Sequence, residues 1–195
     1  MPAVPQHFQE IVKQFEQQCI WAHQSWKTRK CLFDNESNLP AFQQPHYEHF
    51  FLRLSVVLQE YWMQQVAKLH DLAGKPGQHN LSVNYMIECG DWDVGTEAQL
   101  TELRDKMLPF VKKMKPPRNK LAAHNDVDTI LAATKFGKFD AGEDLEYFER
   151  LKAFTEIVVN LILREHFCYD NAVLTDVALI VDAFNRGRIG GECGI

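Results

Sequence analysis

The sequence lacks the features that would place the chain in a membrane or in an oxidising compartment. No apolar run approaches the roughly 18 residues that a helix needs to span a bilayer, and residues 1–10 carry no basic group ahead of an apolar stretch. The five cysteines are odd in number, widely scattered and form no CxxC pair, which indicates neither a disulfide framework nor a zinc knuckle. We therefore expect a cytoplasmic protein with reduced thiols and no membrane association.

Positive charge is also in deficit. The 195 residues include 21 Lys and Arg against 26 Asp and Glu, a net charge of -5, which excludes attraction of nucleic acid to the whole surface. A nucleic-acid partner would need a local basic patch. The chain also has no P-loop, no dinucleotide-binding glycine pattern and no GxSxG elbow. The common nucleotide-binding and hydrolase motifs therefore indicate no function for this chain, and we expect no cofactor.

Apolar residues recur at helical spacing along nearly the whole chain, and no segment alternates with a period of two. This pattern predicts an all-α fold, a helical bundle of about six to seven helices. We expect a single domain over residues 1–185 and a loose, glycine-rich tail over residues 186–195. The predicted helices cover residues 6–29, 45–71, 81–88, 143–167 and 171–184, with two more beginning at 96 and 117.

Three local predictions concern the helix boundaries and faces. In the second long helix, Phe50, Val57 and Tyr61 belong to a wide apolar face that suits a central position in the bundle. Thr96, followed three residues later by Gln99, is typical of a capping box that opens the next long helix. The pair Pro116-Pro117 is expected to interrupt that helix and to start a new short one, because proline is tolerated in a first helical turn.

One segment departs from this uniform pattern. Residues 112–124 contain five cations and no acid, so the remainder of the chain carries 16 basic and 26 acidic residues, a net charge of -10. The simplest interpretation of this segment is a solvated helix end, where lysine charges interact favourably with the helix dipole. The alternative is the local basic patch that an acidic chain would need in order to bind nucleic acid. The cations are Lys112, Lys113, Lys115, Arg118 and Lys120.

Within this segment, Arg118 and His124 are separated by five residues, and the polar Asn119 follows the arginine. Arginine can hold a phosphate through paired hydrogen bonds, and histidine can move a proton near neutral pH, so the pair suits phosphodiester chemistry. Chance alone gives about one Arg–His pair at four to six residues in such a chain, but only about 0.15 pairs when Asn, Asp or His must follow the arginine.

The string RNKLAAHND over residues 118–126, in a chain of long helices, resembles the signature of HEPN domains, particularly the branch related to abortive-infection proteins. The resemblance implies an α-helical bundle, commonly a homodimer, in which the arginine and histidine of two copies meet in a symmetric cleft and cut RNA without a metal. Arg118 and His124 match the two defining positions, and Asn119 matches the polar residue that usually follows the arginine.

The resemblance thus implies an endoribonuclease of a defence or toxin-antitoxin system, restrained by an antitoxin or regulatory protein. In this hypothesis Arg118, Asn119 and His124 are catalytic, and the backbone of the RNA is bound by Lys112, Lys113, Lys115 and Lys120. The alternative hypothesis is a non-catalytic HEPN-like module that binds nucleotide, RNA or a protein partner. A third, a purely structural helical dimer, would give His124 a capping or core role.

Two groups that contain histidine have the residue types of a metal site. His46 and His49 flank Glu48, but no third ligand is apparent and the order of a zincin motif is absent. His166, Cys168 and Asp170 alternate in a way that does not suit one helix face. We expect a metal at neither group.

Overall fold

Helices dominate the architecture. The computed structural model describes residues 6–35, 38, 42, 48–75, 77–123, 139–169 and 172–190, with the backbone alone over 115–123, at 172 and over 187–190. A π-helical segment, Lys30–Asp34, follows α1, and two short strands, β1 (Gly74–Lys75) and β2 (Gln78–His79), form an antiparallel hairpin. The all-α prediction is confirmed. The helices are α1 (Gln6–Arg29), α2 (Glu48–Leu69), α3 (Val83–Cys89), α4 (Val94–Ala123), α5 (Glu143–Leu163) and α6 (Ala172–Gly190).

The chain divides into two compact units. Unit 1 comprises Met1–Trp21 and Met63–Cys168, and unit 2 comprises Ala22–Trp62 and Tyr169–Ile195. The chain passes between the units at three positions, two of which fall inside helices, so α1 and α2 each contribute to both units. The third, between Cys168 and Tyr169, follows the end of α5. Helix α6 extends to Gly190, past residue 186 where the sequence predicts the tail to begin, and residues 191–195 lie outside the described part of the chain.

The apolar stripes of three predicted helices are buried in unit 1, as their spacing indicates. The rings of Phe15 and Phe154 meet edge to face, with their centroids 6.0 Å apart, and join α1 to α5. The buried members of these stripes are Val12, Phe15 and Cys19 on α1, Leu100, Met107 and Val111 on α4, and Leu151, Phe154 and Val158 on α5.

Unit 2 has its own hydrophobic cluster. Phe42 and Phe51 lie with ring centroids 4.3 Å apart, and Phe184 of α6 packs against Phe51 at 5.0 Å. These aromatic contacts link α2 to α6 within the unit. The buried residues of the cluster are Leu32, Phe42, Phe51, Val173 and Val177.

The predicted central position of α2 is wrong for the N-terminal half of the helix. Phe50 is 55% exposed, Val57 58% and Tyr61 38%, whereas Phe51 and Trp62 are buried. An apolar face predicts that a helix can be buried along that face, but the number of neighbouring elements decides whether it is. Here unit 2 covers one side of the helix and leaves the stripe through Phe50 and Val57 exposed.

Both predictions about the boundaries of α4 are also wrong. The cap is Asp93, whose carboxylate accepts hydrogen bonds from the backbone N–H groups of Gly95 (3.0 Å) and Thr96 (3.1 Å), so the helix begins before Thr96. At its other end α4 runs through Pro116 and Pro117 without a break in the helical assignment. Each proline removes one backbone donor, but its fixed φ is close to the helical value.

Helix α5 ends earlier than the periodicity predicts. Arg164 adopts a left-handed conformation with φ 62°, and its backbone N–H donates to the carbonyl of Asn160, which closes the helix at Leu163 rather than at residue 167. Within the described residues, no helix combines the length and the hydropathy needed to cross a membrane.

Candidate nucleic-acid interface

The basic segment predicted from the sequence occupies the last turns of α4. Lys112 is exposed to solvent and Lys113 is half-buried. The backbone of the next part of the segment, which carries Lys115, Arg118, Asn119 and Lys120, is helical as far as Ala123. His124 lies outside the described residues. The structure therefore places two of the predicted site residues with their side chains, four through the backbone and one not at all.

Lys113 is engaged by a partner that the sequence did not reveal. Its ammonium donates to both carboxylate oxygens of Glu143, each at 2.7 Å, and Glu143 also accepts the backbone N–H of Asp140. The hydrogen bond from Lys113, followed by that from Asp140, holds the pKa of Glu143 below its ordinary value of 4.5. The signal in the sequence was the acidic first turn of α5, which by itself indicates only a favourable helix dipole.

This ion pair joins the two sides of a helical hairpin. Lys113 lies near the end of α4 and Glu143 is the first residue of α5, so the pair closes the base of the stretch between them. A second link lies further along the same helices, where the Arg150 guanidinium donates to the carbonyl of Lys106 at 2.9 Å and to Glu146 at 2.7 Å. Two links, Lys113 to Glu143 and Arg150 to Lys106, therefore hold α4 and α5 together before the helix reaches Arg118 and Asn119.

The helical register of position 118 relates it to the buried residues of α4. Val111 and Met114 are both buried on α4, and on an ideal helix position 118 follows Met114 by four residues and Val111 by seven, which places it on the same face. Lys112 and Asn119 are in register with each other on another face. Arginine is rarely placed where an apolar stripe continues, so position 118 differs from an ordinary surface cation.

The end of α4 bears on how Arg118 and His124 could act together. Six residue steps along a continuous helix would separate the two positions by roughly 120° in rotation and ~9 Å in rise. One helix face therefore cannot present both. The described part of the helix runs to Ala123, and His124 is the first residue outside it.

The other candidate sites do not coincide with this segment. Among the described residues, no group of three or more His, Cys, Asp or Glu side chains is placed to hold a metal. His166 contacts Glu156 at 3.4 Å and His49 is exposed, while His46 and Asp170 lie outside the described residues. A groove of about 510 Å³ at the start of α4 is lined by Thr96, Gln99 and Asn160, far along the helix from residues 112–124.

A comparison with known protein families agrees with this architecture. The chain matches the AbiU2 family of HEPN domains over residues 5–176, which includes α1 to α5 and the whole basic segment. Comparison with curated proteins and with solved structures gave no significant match. A match that covers most of the chain, together with the helical architecture, identifies it as a member of the HEPN family AbiU2, a family of the abortive-infection type.

Proposed function

We propose that this chain is a metal-independent endoribonuclease of a defence or toxin-antitoxin system, active in the cytoplasm. Its catalytic site is a composite of two copies of the chain and contains Arg118, Asn119 and His124. Membership of an abortive-infection HEPN family supports the class of function. The observation that supports the assignment of the site is the helical register of position 118, which lies seven residues after the buried Val111 and four after the buried Met114 on α4.

The proposed reaction uses the RNA itself as the nucleophile. The ribose 2′-oxygen forms a bond to the adjacent phosphorus, and the bond from phosphorus to the 5′-oxygen of the next nucleotide breaks. His124 takes the proton of the 2′-hydroxyl or returns one to the leaving 5′-oxygen, and Arg118 stabilises the charge that develops on the phosphoryl oxygens. The products are a 2′,3′-cyclic phosphate and a 5′-hydroxyl. DNA, which lacks the 2′-hydroxyl, is not cleaved.

The lysines have different roles in this proposal. Lys112 is exposed and is available to the RNA backbone, and Lys115 and Lys120 would contact the flanking phosphates. The Glu143 carboxylate neutralises Lys113 within the chain, so Lys113 first acts as a positioning residue that holds the α4–α5 hairpin together. Asn119, in the helix beside Arg118, would orient a phosphate or the histidine.

The composite site answers the geometric difficulty of the motif. Because Arg118 and His124 cannot share one helix face, a symmetric cleft in which the arginine of one copy meets the histidine of the other satisfies the spacing. In such a cleft one copy's histidine can act as the base while the other copy's histidine acts as the acid. An antitoxin or regulatory protein would then control the chain by covering the cleft or separating the copies.

RNA cleavage tests the proposal directly. Wild-type protein in excess chelator should cut labelled single-stranded RNA and leave a matched DNA intact. Arg118→Ala and His124→Ala should each lower the rate at least about 100-fold, the range of a lost proton-transfer group or charge stabiliser. The controls are Arg104→Ala on the same helix and the exposed His7→Ala, which should cut like the wild type.

Product analysis by mass spectrometry should show the 2′,3′-cyclic phosphate. The proposal fails if folded wild-type dimer leaves every RNA intact, or if Arg118→Ala and His124→Ala cut as fast as the controls.

The second candidate function is a non-catalytic module that binds RNA, nucleotide or a protein partner. The family match supports it as well, because a HEPN module can bind a partner through this segment without cleaving it. In this case RNA affinity should fall steeply with added salt and on Lys112→Gln substitution, without cleavage. Affinity that is insensitive to salt and to Lys112→Gln would contradict it.

A further inference from the structure

An apolar stripe on α2 lies open to solvent in unit 2. It consists of Phe50, Leu54, Val57 and Tyr61, which we call the α2 seam. Leu54 is half-buried and packs in part against the hydrophobic cluster of unit 2, and the other three are among the large exposed apolar residues of the described chain. All four lie within about 60° of one another around the helix axis. Several large apolar residues exposed along one helix face mark a surface that binds another macromolecule.

The spacing of the α2 seam is that of a coiled-coil face. The intervals of four, three and four residues follow the alternating pattern of heptad core positions over nearly two heptads. The stripe ends at Gln64 and Lys68, which occupy the next two positions of the same series. On one flank Phe51 and Leu58 turn towards the hydrophobic cluster of unit 2. On the other flank lie Arg53, which is exposed, and Glu60, which is half-exposed, and the two are one heptad apart.

We propose that the α2 seam binds the α2 seam of a second copy of this chain, with the two helices antiparallel about a two-fold axis. The seam is symmetric about its own midpoint, since Phe50 and Tyr61 are equidistant from it, as are Leu54 and Val57. Antiparallel pairing therefore places Phe50 opposite the second copy's Tyr61 and Leu54 opposite its Val57. A two-fold interface requires such self-complementarity, in which one patch fits itself.

The charges of Arg53 and Glu60, on the flank of the seam, also favour the antiparallel arrangement. With 1.5 Å of rise per residue, Arg53 lies about 3 Å along the axis from Glu60 of the second copy, about 7.5 Å from its Arg53, and the two glutamates are about 13.5 Å apart. The nearest charges are thus opposite, and the two-fold axis repeats the pair. In a parallel pair the flanking charges would instead face the apolar flank that holds Leu58, so parallel pairing gains no ion pair.

The α2 seam would supply an association surface for the two copies that the proposed composite site needs. The inference rests on the proposed function only in expecting that two copies associate. It does not involve RNA. A seam of two heptads buries less than the roughly 800 Å² per partner of a standard interface, so we expect a dimer that dissociates on dilution. Measurements of mass and of cleavage therefore test the two proposals separately.

Two neighbouring valines provide the test. Val57 lies in the seam, whereas Val56 is also exposed, at 44%, but lies ~100° away around the helix. Wild-type full-length protein should show a concentration-dependent dimer by sedimentation equilibrium. Val57→Glu should raise the dimer dissociation constant at least about tenfold, because it places a carboxylate in an apolar interface. Val56→Glu should leave it within about twofold. Circular dichroism establishes that each variant is folded.

Exchange of the flanking charges identifies the partner as a second copy. Arg53→Glu and Glu60→Arg should each weaken self-association by about threefold, the order expected for exposed ion pairs. An equimolar mixture of the two single variants should form a heterodimer in preference to either homodimer, since every nearest pair in the mixture is again opposite in charge.

A dimer that survives Val57→Glu unchanged would overturn the α2 seam while leaving a composite nuclease site possible through another face. A wild-type chain that stays monomeric at all concentrations would overturn the seam and the composite site together. Equal weakening by Val56→Glu and Val57→Glu, or a mixture that pairs no better than the single variants, would also contradict the inference.

Discussion

Two leucines on α5 allow a quantitative test of the unit 1 core. Leu151 is 0% exposed and Leu145 is 50% exposed, and both lie on the helix that pairs with α4. Truncation of Leu151 to alanine removes three buried carbons and leaves a cavity, for which we expect a loss of about 3 kcal/mol within the range of 2–5 kcal/mol for such sites. Leu145→Ala makes the same chemical change at a half-exposed position and should cost less than about 1 kcal/mol.

Urea denaturation followed by circular dichroism measures both effects. With a slope near 2 kcal/mol per molar urea, Leu151→Ala should lower the unfolding midpoint by about 1.5 M and Leu145→Ala by less than about 0.5 M. The corresponding fall in melting temperature for Leu151→Ala is ~6–12 °C. Because both variants replace leucine by alanine, and leucine and alanine are both strong helix formers, the difference in midpoint reports mainly the difference in burial. Equal midpoints for the two variants would refute the placement of Leu151 in the core.

Two further predictions concern titratable groups. Burial raises the pKa of the Cys19 thiol to about 12. At pH 8 a thiol reagent should therefore label the exposed Cys89 and Cys168 and should react with Cys19 only after unfolding. Rapid labelling of Cys19 in the folded protein would contradict this. The lowered pKa of Glu143 means that its pairing with Lys113 contributes stability above the ordinary carboxyl pKa of 4.5 and loses it as pH falls below that value. Glu143→Gln should therefore flatten the acid side of the profile of urea midpoint against pH between about 5 and 3, and an unchanged slope would show that the pair carries no folding energy.

The helices were largely predictable because their signal is local. The recurrence of Val12, Phe15 and Cys19 at three or four residues fixes one apolar face of α1, and its predicted bounds agree with the structure. The end of α5 was less predictable, since closure at Leu163 depends on the backbone conformation of a single residue, Arg164. The continuity of α4 through Pro116 and Pro117 was missed because the propensity of proline was weighed without the packing of Val111 and Met114.

The candidate site was predictable only in its residue types. The order of Arg118, Asn119 and His124 is a property of the sequence and was sufficient to indicate the HEPN family, which the family comparison confirms. The pairing of Lys113 with Glu143 joins residues thirty positions apart, and no local pattern reports such a contact. The charge count therefore gave the composition of the basic segment without revealing that one of its cations is neutralised within the chain.

The sequence by itself determined that the chain is helical, that its net charge of -5 conceals one basic segment, and which face of each helix is apolar. Only the tertiary structure decided which of those faces are covered. Periodicity reports the direction in which apolar side chains point along a helix, but burial depends on how many neighbours a face meets. The same kind of stripe is therefore core in α1 and an exposed surface in α2, where Phe50 and Val57 remain open to solvent.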